Sequence, residues 1–315
     1  MTSSSNSCAW LTGRRSSRQS SPPKSETPTA ASLLRQAREA LRAGGIDSPE
    51  LTAERLLAHV LKCSRAELYA TLQRPLTVQQ RRAFQRLLAR RLQREPLQYV
   101  LGEVDFMGLA LQVAPGVLIP RPETEILVEK AVEFCTKQFA EVESLQCLDV
   151  GTGSGNIALS LAAFLPRAQV VGVDCSAEAL RMAEANLTRL GLAGRVRLIE
   201  ADVRAADFVQ TSGGAFHLVT ANLPYVPSNA LPTLQPEVRD YEPWLALDGG
   251  ADGLELYRAL VPKLPGLLDE RGAFFAEVGE GQGAAISELL RVAGFSDIQV
   301  FADLAGKERV VSARK

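Results

Sequence analysis

Histidine is nearly missing from this chain: its 315 residues contain two, His59 and His217. Cysteine is sparse and dispersed, five in all (Cys8, Cys63, Cys135, Cys147 and Cys175), and no two stand at CxxC spacing. Metal sites with nitrogen and sulfur ligands need such residues clustered at short spacing, so no metal is expected. An odd, scattered cysteine set is no disulfide framework either; it fits a reducing compartment, and the cytoplasm is the expected location. No apolar run approaches the ~20 residues of a membrane span, so no membrane association is expected. An excess of one charge is also absent: 35 Lys and Arg stand against 36 Asp and Glu, a net charge of -1. A near-neutral chain has no field that demands an acidic partner, and no direct nucleic-acid substrate is expected. What is present is an ordinary apolar share of 46%, in a chain long enough for two domains and a tail. A monomer is expected.

Residues 1–30 differ from the rest, with no acidic residue before Glu26 and much Ser, Arg, Pro and Thr. Such a segment cannot bury enough apolar surface to offset its ordering, and a disordered, dispensable tail or misassigned start is expected. The Arg/Ser-rich composition also suits an organelle transit peptide, but a clear amphipathic repeat is missing.

From residue 31 to 95 the apolar residues recur at helical spacing, as in Leu33, Leu34, Ala37, Leu41 and Leu51, Leu56, Leu57, Val60, Leu61. A bundle of four or five helices is expected, with Ser48 and Thr77 as N-caps. One helix carries Arg81, Arg82, Arg86, Arg90, Arg91 and Arg94, readable as a docking surface or as a solvated face. Residues 96–122 turn to short extended pieces, Val104–Phe106 and Leu109–Val113, separated by Gly108; a hairpin linker is expected. After a helix from about Glu123 to Phe139, strand-like and helical runs alternate to residue 315, which predicts a mostly parallel α/β sheet in a domain spanning 123–315. Ile298–Phe301 and Arg309–Ser312 read as an antiparallel pair at its end.

Leu148 to Asn156 reads LDVGTGSGN, the end of a buried strand running into a helix. Glycines 151, 153 and 155 let the backbone turn sharply and approach a ligand, and the helix start offers free N–H groups. A dinucleotide fingerprint would need a glycine at 156, where this chain has Asn156. The D-x-G-x-G-x-G pattern instead resembles the first motif of class I methyltransferases, whose cofactor is S-adenosylmethionine. The candidate cofactor residues are Gly151, Thr152, Gly153, Ser154, Gly155, Asp174, Asp202, Val203 and Asn222. Asp174 ends the second strand, where a carboxylate can accept from ribose hydroxyls. Asp202-Val203 ends the third, the turn that contacts adenine in methyltransferases of this type.

The fourth strand runs directly into Asn222-Leu223-Pro224-Tyr225, which resembles the (N/D)PPY motif of amino methyltransferases. The nitrogen of an amide or exocyclic amine has its lone pair delocalised, so positioning matters more than proton abstraction. The Asn222 oxygen can accept one substrate N–H, a carbonyl of Leu223 or Pro224 the other, and the Tyr225 ring can stack on the planar group. Asn222, Pro224 and Tyr225 are the candidate catalytic residues; Asn222 to Tyr225 are the candidate substrate residues.

The segments EPLQYVLG (95–102), VLIPRPETE (117–125), Glu242-Pro243 and ALDGGADGL (246–254) extend the likeness over residues 31 to 315. The chain is similar to the HemK/PrmC family of peptide-chain release factor glutamine methyltransferases. That resemblance implies a Rossmann-like class I catalytic domain, a helical N-terminal domain that docks a class I release factor, and methylation of the glutamine of a Gly-Gly-Gln loop on its side-chain nitrogen, N5. One departure stands out: Leu223 occupies a position where the family usually has a second proline. Asn-Leu-Pro-Tyr is also the form seen in ribosomal RNA adenine dimethyltransferases, so N6-adenine methylation of RNA or DNA is the alternative.

Overall fold

The computed structural model describes residues 28–315, so the expected tail before residue 28, and Cys8 within it, lie outside the described residues. Five helices come first: α1 (Ala30–Ala43), α2 (Pro49–Leu61), α3 (Arg65–Ala70), α4 (Val78–Leu92) and α5 (Leu97–Leu101). Their apolar faces close on a core of Leu34, Leu41, Leu56, Leu57, Leu68 and Phe84, all buried. Thr77 caps α4 as expected, its hydroxyl accepting from Gln80 N while the Gln80 side chain returns to Thr77 N. Ser48 does not cap α2. Its backbone is left-handed (φ 49°), which turns the hydroxyl away from the first-turn amides, and the helix starts on Pro49 instead.

The hairpin β1 (Glu103–Phe106) and β2 (Leu109–Gln112) follows. The remainder is a seven-stranded sheet ordered β5-β4-β3-β6-β7-β9-β8. It is made of β3 (Leu145–Val150), β4 (Ala168–Asp174), β5 (Val196–Glu200), β6 (Phe216–Ala221), β7 (Leu268–Glu277), β8 (Ser296–Ala302) and β9 (Glu308–Arg314). β3 to β7 are parallel, whereas β9 runs antiparallel to β7 and β8. Both faces are covered, as a parallel sheet requires. Helices α6 (Thr124–Gln138), α7 (Asn156–Phe164) and α8 (Ala177–Leu190) pack with the hairpin on one side. Helices α9 (Phe208–Ser212), α11 (Glu255–Leu260), α12 (Leu264–Leu267) and α13 (Gly283–Val292) cover the other. Among the described residues no helix is long and apolar enough to cross a membrane.

The strand order reverses at β3, which lies between β4 and β6. Ligands of open α/β sheets bind in the crevice beyond the carboxyl ends of strands at such a point. The sequence therefore delivers the glycine loop, after β3, and Asn222, after the adjacent β6, to one crevice.

Between β6 and β7 the chain forms a strap, residues 226–254, containing the single-turn helix α10 (Pro236–Arg239). It is tied to the helical bundle. Arg91 and Arg94 of the arginine-rich helix and its end both donate to Glu237 at 2.7 Å, and the Tyr241 hydroxyl donates to Gln93 O at 2.6 Å. Arg90 bonds Glu95 and the carbonyls of Tyr99 and Val100. Half of the six arginines thus work inside the molecule, and Arg82 and Arg86 are the exposed ones. Glu242, also on the strap, accepts from the Arg121 guanidinium and from Ile119 N.

Candidate active site

A cavity of about 750 Å³ opens at the switch point, within the usual range for a small-molecule site. Its wall includes Gly151, Gly153, Ser154, Asp174, Asp202, Val203, Asn222, Leu223 and Pro224. Residues separated by seventy positions in sequence are thereby brought to one surface. Thr152, Gly155 and Tyr225 stand behind that wall. Thr152 turns inward, its hydroxyl donating to Asp149 Oδ2 at 2.7 Å. Gly155, at φ 83°, begins α7, and a Cβ there would lie 2.9 Å from Leu159 Cδ1. Tyr225 sends its hydroxyl to Glu277 Oε1 at 3.1 Å.

The glycine loop is held from beneath by two aspartates. Asp149 is fully buried and accepts from Thr152 and, across the strand pair, from the Thr220 hydroxyl at 2.9 Å. Burial pushes its carboxyl up to about 6. Asp174 accepts from Gly153 N at 2.8 Å and Ser176 N at 2.9 Å, which fixes the carboxylate on the cavity wall; burial raises its pKa too. Gly151 completes the join between loop and turn. A Cβ at that position would meet Leu223 Cδ2 at 3.1 Å and Asn222 O at 3.4 Å. Asp202 is paired with Arg204 through both oxygens, and that hydrogen-bonded partner lowers its pKa.

Around Asn222 the sheet register supplies what sequence spacing hides. Ala221 pairs with Ala276, so Asn222 and Glu277 leave adjacent strands side by side. The Asn222 Nδ2 donates to Glu277 Oε2 at 3.0 Å and to Thr124 Oγ1, at the start of α6, at 3.2 Å. Leu223 buries its side chain, and its N–H faces the Tyr257 hydroxyl at 3.4 Å. A proline at 223 would have no N–H to offer, and the leucine gains core packing in exchange. The strap adds Pro243, Trp244, Leu245 and Ala246 to the cavity wall, with Trp244 and Leu245 about half exposed.

Glu277 escaped the sequence reading, and Thr124 entered it only within the VLIPRPETE segment, with no role assigned. The available signal was a carboxylate directly after the apolar run Phe274-Phe275-Ala276, at the carboxyl end of a buried strand.

A parallel sheet with a glycine loop, an acidic second-strand end and an Asn-x-Pro-Tyr turn at one switch point defines a class I methyltransferase. Comparison with known proteins narrows the class. A PrmC N-terminal domain model matches residues 32–102 and a methyltransferase domain model residues 147–241. The chain is 41% identical over 291 residues to the release factor glutamine methyltransferase of Geobacter sulfurreducens, covering 92% of this chain and 98% of that one. It is 43% identical over 282 residues to that of Moorella thermoacetica, covering 89% and 96%. Among solved structures, the hMettl16 catalytic domain, crystallised with an RNA hairpin, shares the fold at a TM-score of 0.52 and 16% identity, over 72% of this chain and 81% of that one. This chain belongs to the release factor glutamine methyltransferase family, and is a methyltransferase.

Proposed function

We propose that the protein transfers a methyl group from S-adenosylmethionine to the N5 side-chain nitrogen of the glutamine in the Gly-Gly-Gln loop of class I peptide chain release factors. The observation that carries this reading is the Asn222 amide. Both of its N–H groups are engaged inside the protein, so its oxygen is left to accept a substrate N–H at the cavity wall. A primary amide presents two N–H groups in a plane, and a carbonyl of Leu223 or Pro224 is the acceptor for the second. Held in this way, the nitrogen lone pair is directed at the methyl donor. The product cation is a strong acid that loses its proton to water, so no general base is required.

The wall suits S-adenosylmethionine. Its amide-rich glycine loop serves a carboxylate, Asp174 the ribose hydroxyls, and Ala201 to Val203 the edge of an adenine. The bound cofactor supplies an electrophilic methyl group on a sulfonium. Residues 31–95 are read as the release factor docking domain, acting beside the strap that Arg91 and Arg94 anchor. The engagement of Arg90, Arg91 and Arg94 within the chain weighs against the adenine alternative, since it removes three cations from any basic surface for nucleic acid.

Incubation with labelled cofactor and a class I release factor is expected to label the protein substrate, and to fail when its loop glutamine is replaced. Equal labelling of both substrates, or transfer to RNA or DNA but not to the release factor, would overturn the reading. Cofactor binding has its own check. Asp174→Ala removes an ionised acceptor and is expected to weaken S-adenosylmethionine binding by about 100-fold, the equivalent of ~3 kcal/mol for lost charge-assisted hydrogen bonds. Calorimetric titration measures it; a change under about threefold would place the ribose elsewhere.

A further inference from the structure

We propose that Glu277 is a positioning residue, which together with Thr124 locks the Asn222 amide with its oxygen toward the cavity. The inference rests on the reading of Asn222 as the acceptor of a substrate N–H, and goes beyond it by naming what makes Asn222 an acceptor and not a donor.

A carboxamide is nearly symmetrical in shape, so an asparagine at a cavity wall can present either its oxygen or its NH2. The surroundings decide. Glu277 Oε2 takes a hydrogen bond from the Thr124 hydroxyl at 2.5 Å and another from Asn222 Nδ2 at 3.0 Å. Oε1 takes the Tyr225 hydroxyl at 3.1 Å. Because Thr124 spends its only proton on Glu277, its oxygen meets Asn222 as an acceptor. Both neighbours of Nδ2 are therefore acceptors, and a flipped amide would set its oxygen against two oxygens in a dry environment. The same carboxylate restrains Tyr225, so one buried group holds two members of the turn.

Glu277 has no other evident purpose. Its side chain is buried, it does not line the cavity, and among the described residues no Lys or Arg lies within 4.0 Å of it. An unpaired buried carboxylate costs stability. Burial raises its pKa and Glu123 adds to the rise, while the donating hydroxyls of Thr124 and Tyr225, and then Arg309, which is bonded to Asp303, oppose it.

The test is steady-state kinetics with the full chain and a release factor, with S-adenosylmethionine affinity measured separately. Glu277→Ala is expected to lower kcat about 10- to 100-fold, the scale of a misplaced reacting group, with cofactor affinity unchanged. Glu277→Gln, which keeps an acceptor oxygen for Nδ2 and the Thr124 hydroxyl, should recover most of the rate. In an Asn222→Ala background, the loss from Glu277→Ala should shrink to a small part of its size in the unaltered chain, the part carried by Tyr225. Full activity in Glu277→Ala, or a loss that adds in full to that of Asn222→Ala, overturns the proposal. Should Glu277→Ala fail to bind cofactor, the Thr124 pair decides: Thr124→Val slower with Thr124→Ser restored supports the lock, and Thr124→Val at the unaltered rate overturns it. If Asn222→Ala is itself harmless, the reading of the turn has failed, not the lock alone.

Discussion

Asn222→Ala is expected to lower kcat about 10²- to 10³-fold, the scale of losing one preorganised hydrogen-bonding group at a reacting centre. Its S-adenosylmethionine affinity should stay within about threefold. The asymmetry follows from where the side chain points. Its Nδ2 is spent on Glu277 and Thr124, so the cavity-facing oxygen is free for the acceptor substrate, while the glycine loop and Asp174 carry the cofactor. An amide nitrogen is a poor nucleophile, and orientation is most of what a protein can offer it. Asn222→Asp should not rescue the loss. It puts a second carboxylate beside the buried Glu277, and two such charges at hydrogen-bonding distance resist joint ionisation. Single-turnover rates at saturating cofactor, with calorimetric cofactor affinity, separate the two effects; equal losses in both would make Asn222 a cofactor residue.

The features legible in the sequence are those whose physics is local. A glycine loop needs only its own backbone freedom and the helix behind it, and the alternation of apolar runs with helical ones forces a parallel α/β sheet whatever the details. Thr77 caps α4 as read, with Gln80 three residues on to close the box, whereas Ser48, read the same way, does not cap α2 because its backbone is left-handed. The partners of Asn222 were hidden for a related reason. Glu277 is 55 residues away and Thr124 is 98, and only strand order and register put them beside the turn. Arg91 and Arg94 show the limit of surface arguments: on a helix wheel they look solvated, yet their partner Glu237 lies 146 and 143 residues on. Leu223 read as a departure from the family's usual second proline. In the fold its side chain is core and its N–H faces Tyr257, so the turn is held by packing in place of a proline ring.

What stiffens that turn from outside is the segment Asp248 to Leu254, and it yields the second large prediction. Asp248 accepts from the Ser228 hydroxyl and Gly250 N, and Gly253 N closes on Gly250 O, folding the segment tightly enough to press its backbone onto the turn. At Gly253 a Cβ would sit 2.2 Å from Tyr225 O and 3.0 Å from Tyr225 C, both backbone atoms, and 2.5 Å from the Gln282 Nε2 that donates to the same carbonyl. Gly253 also has φ 79°. Gly253→Ala should therefore pay twice, about 1–2 kcal/mol for the left-handed backbone and about 1–3 kcal/mol for displacing the turn. Gly306 separates the two contributions, because its φ is 78° and a Cβ there meets nothing within 4 Å. Gly306→Ala is expected to cost the backbone share alone and leave methyl transfer intact. Gly253→Ala should lose the larger sum in thermal or urea unfolding and most of its activity, since the Tyr225 carbonyl cannot stay where it is. Equal stability and equal rates in the two variants would mean that the segment merely neighbours the catalytic turn and does not brace it.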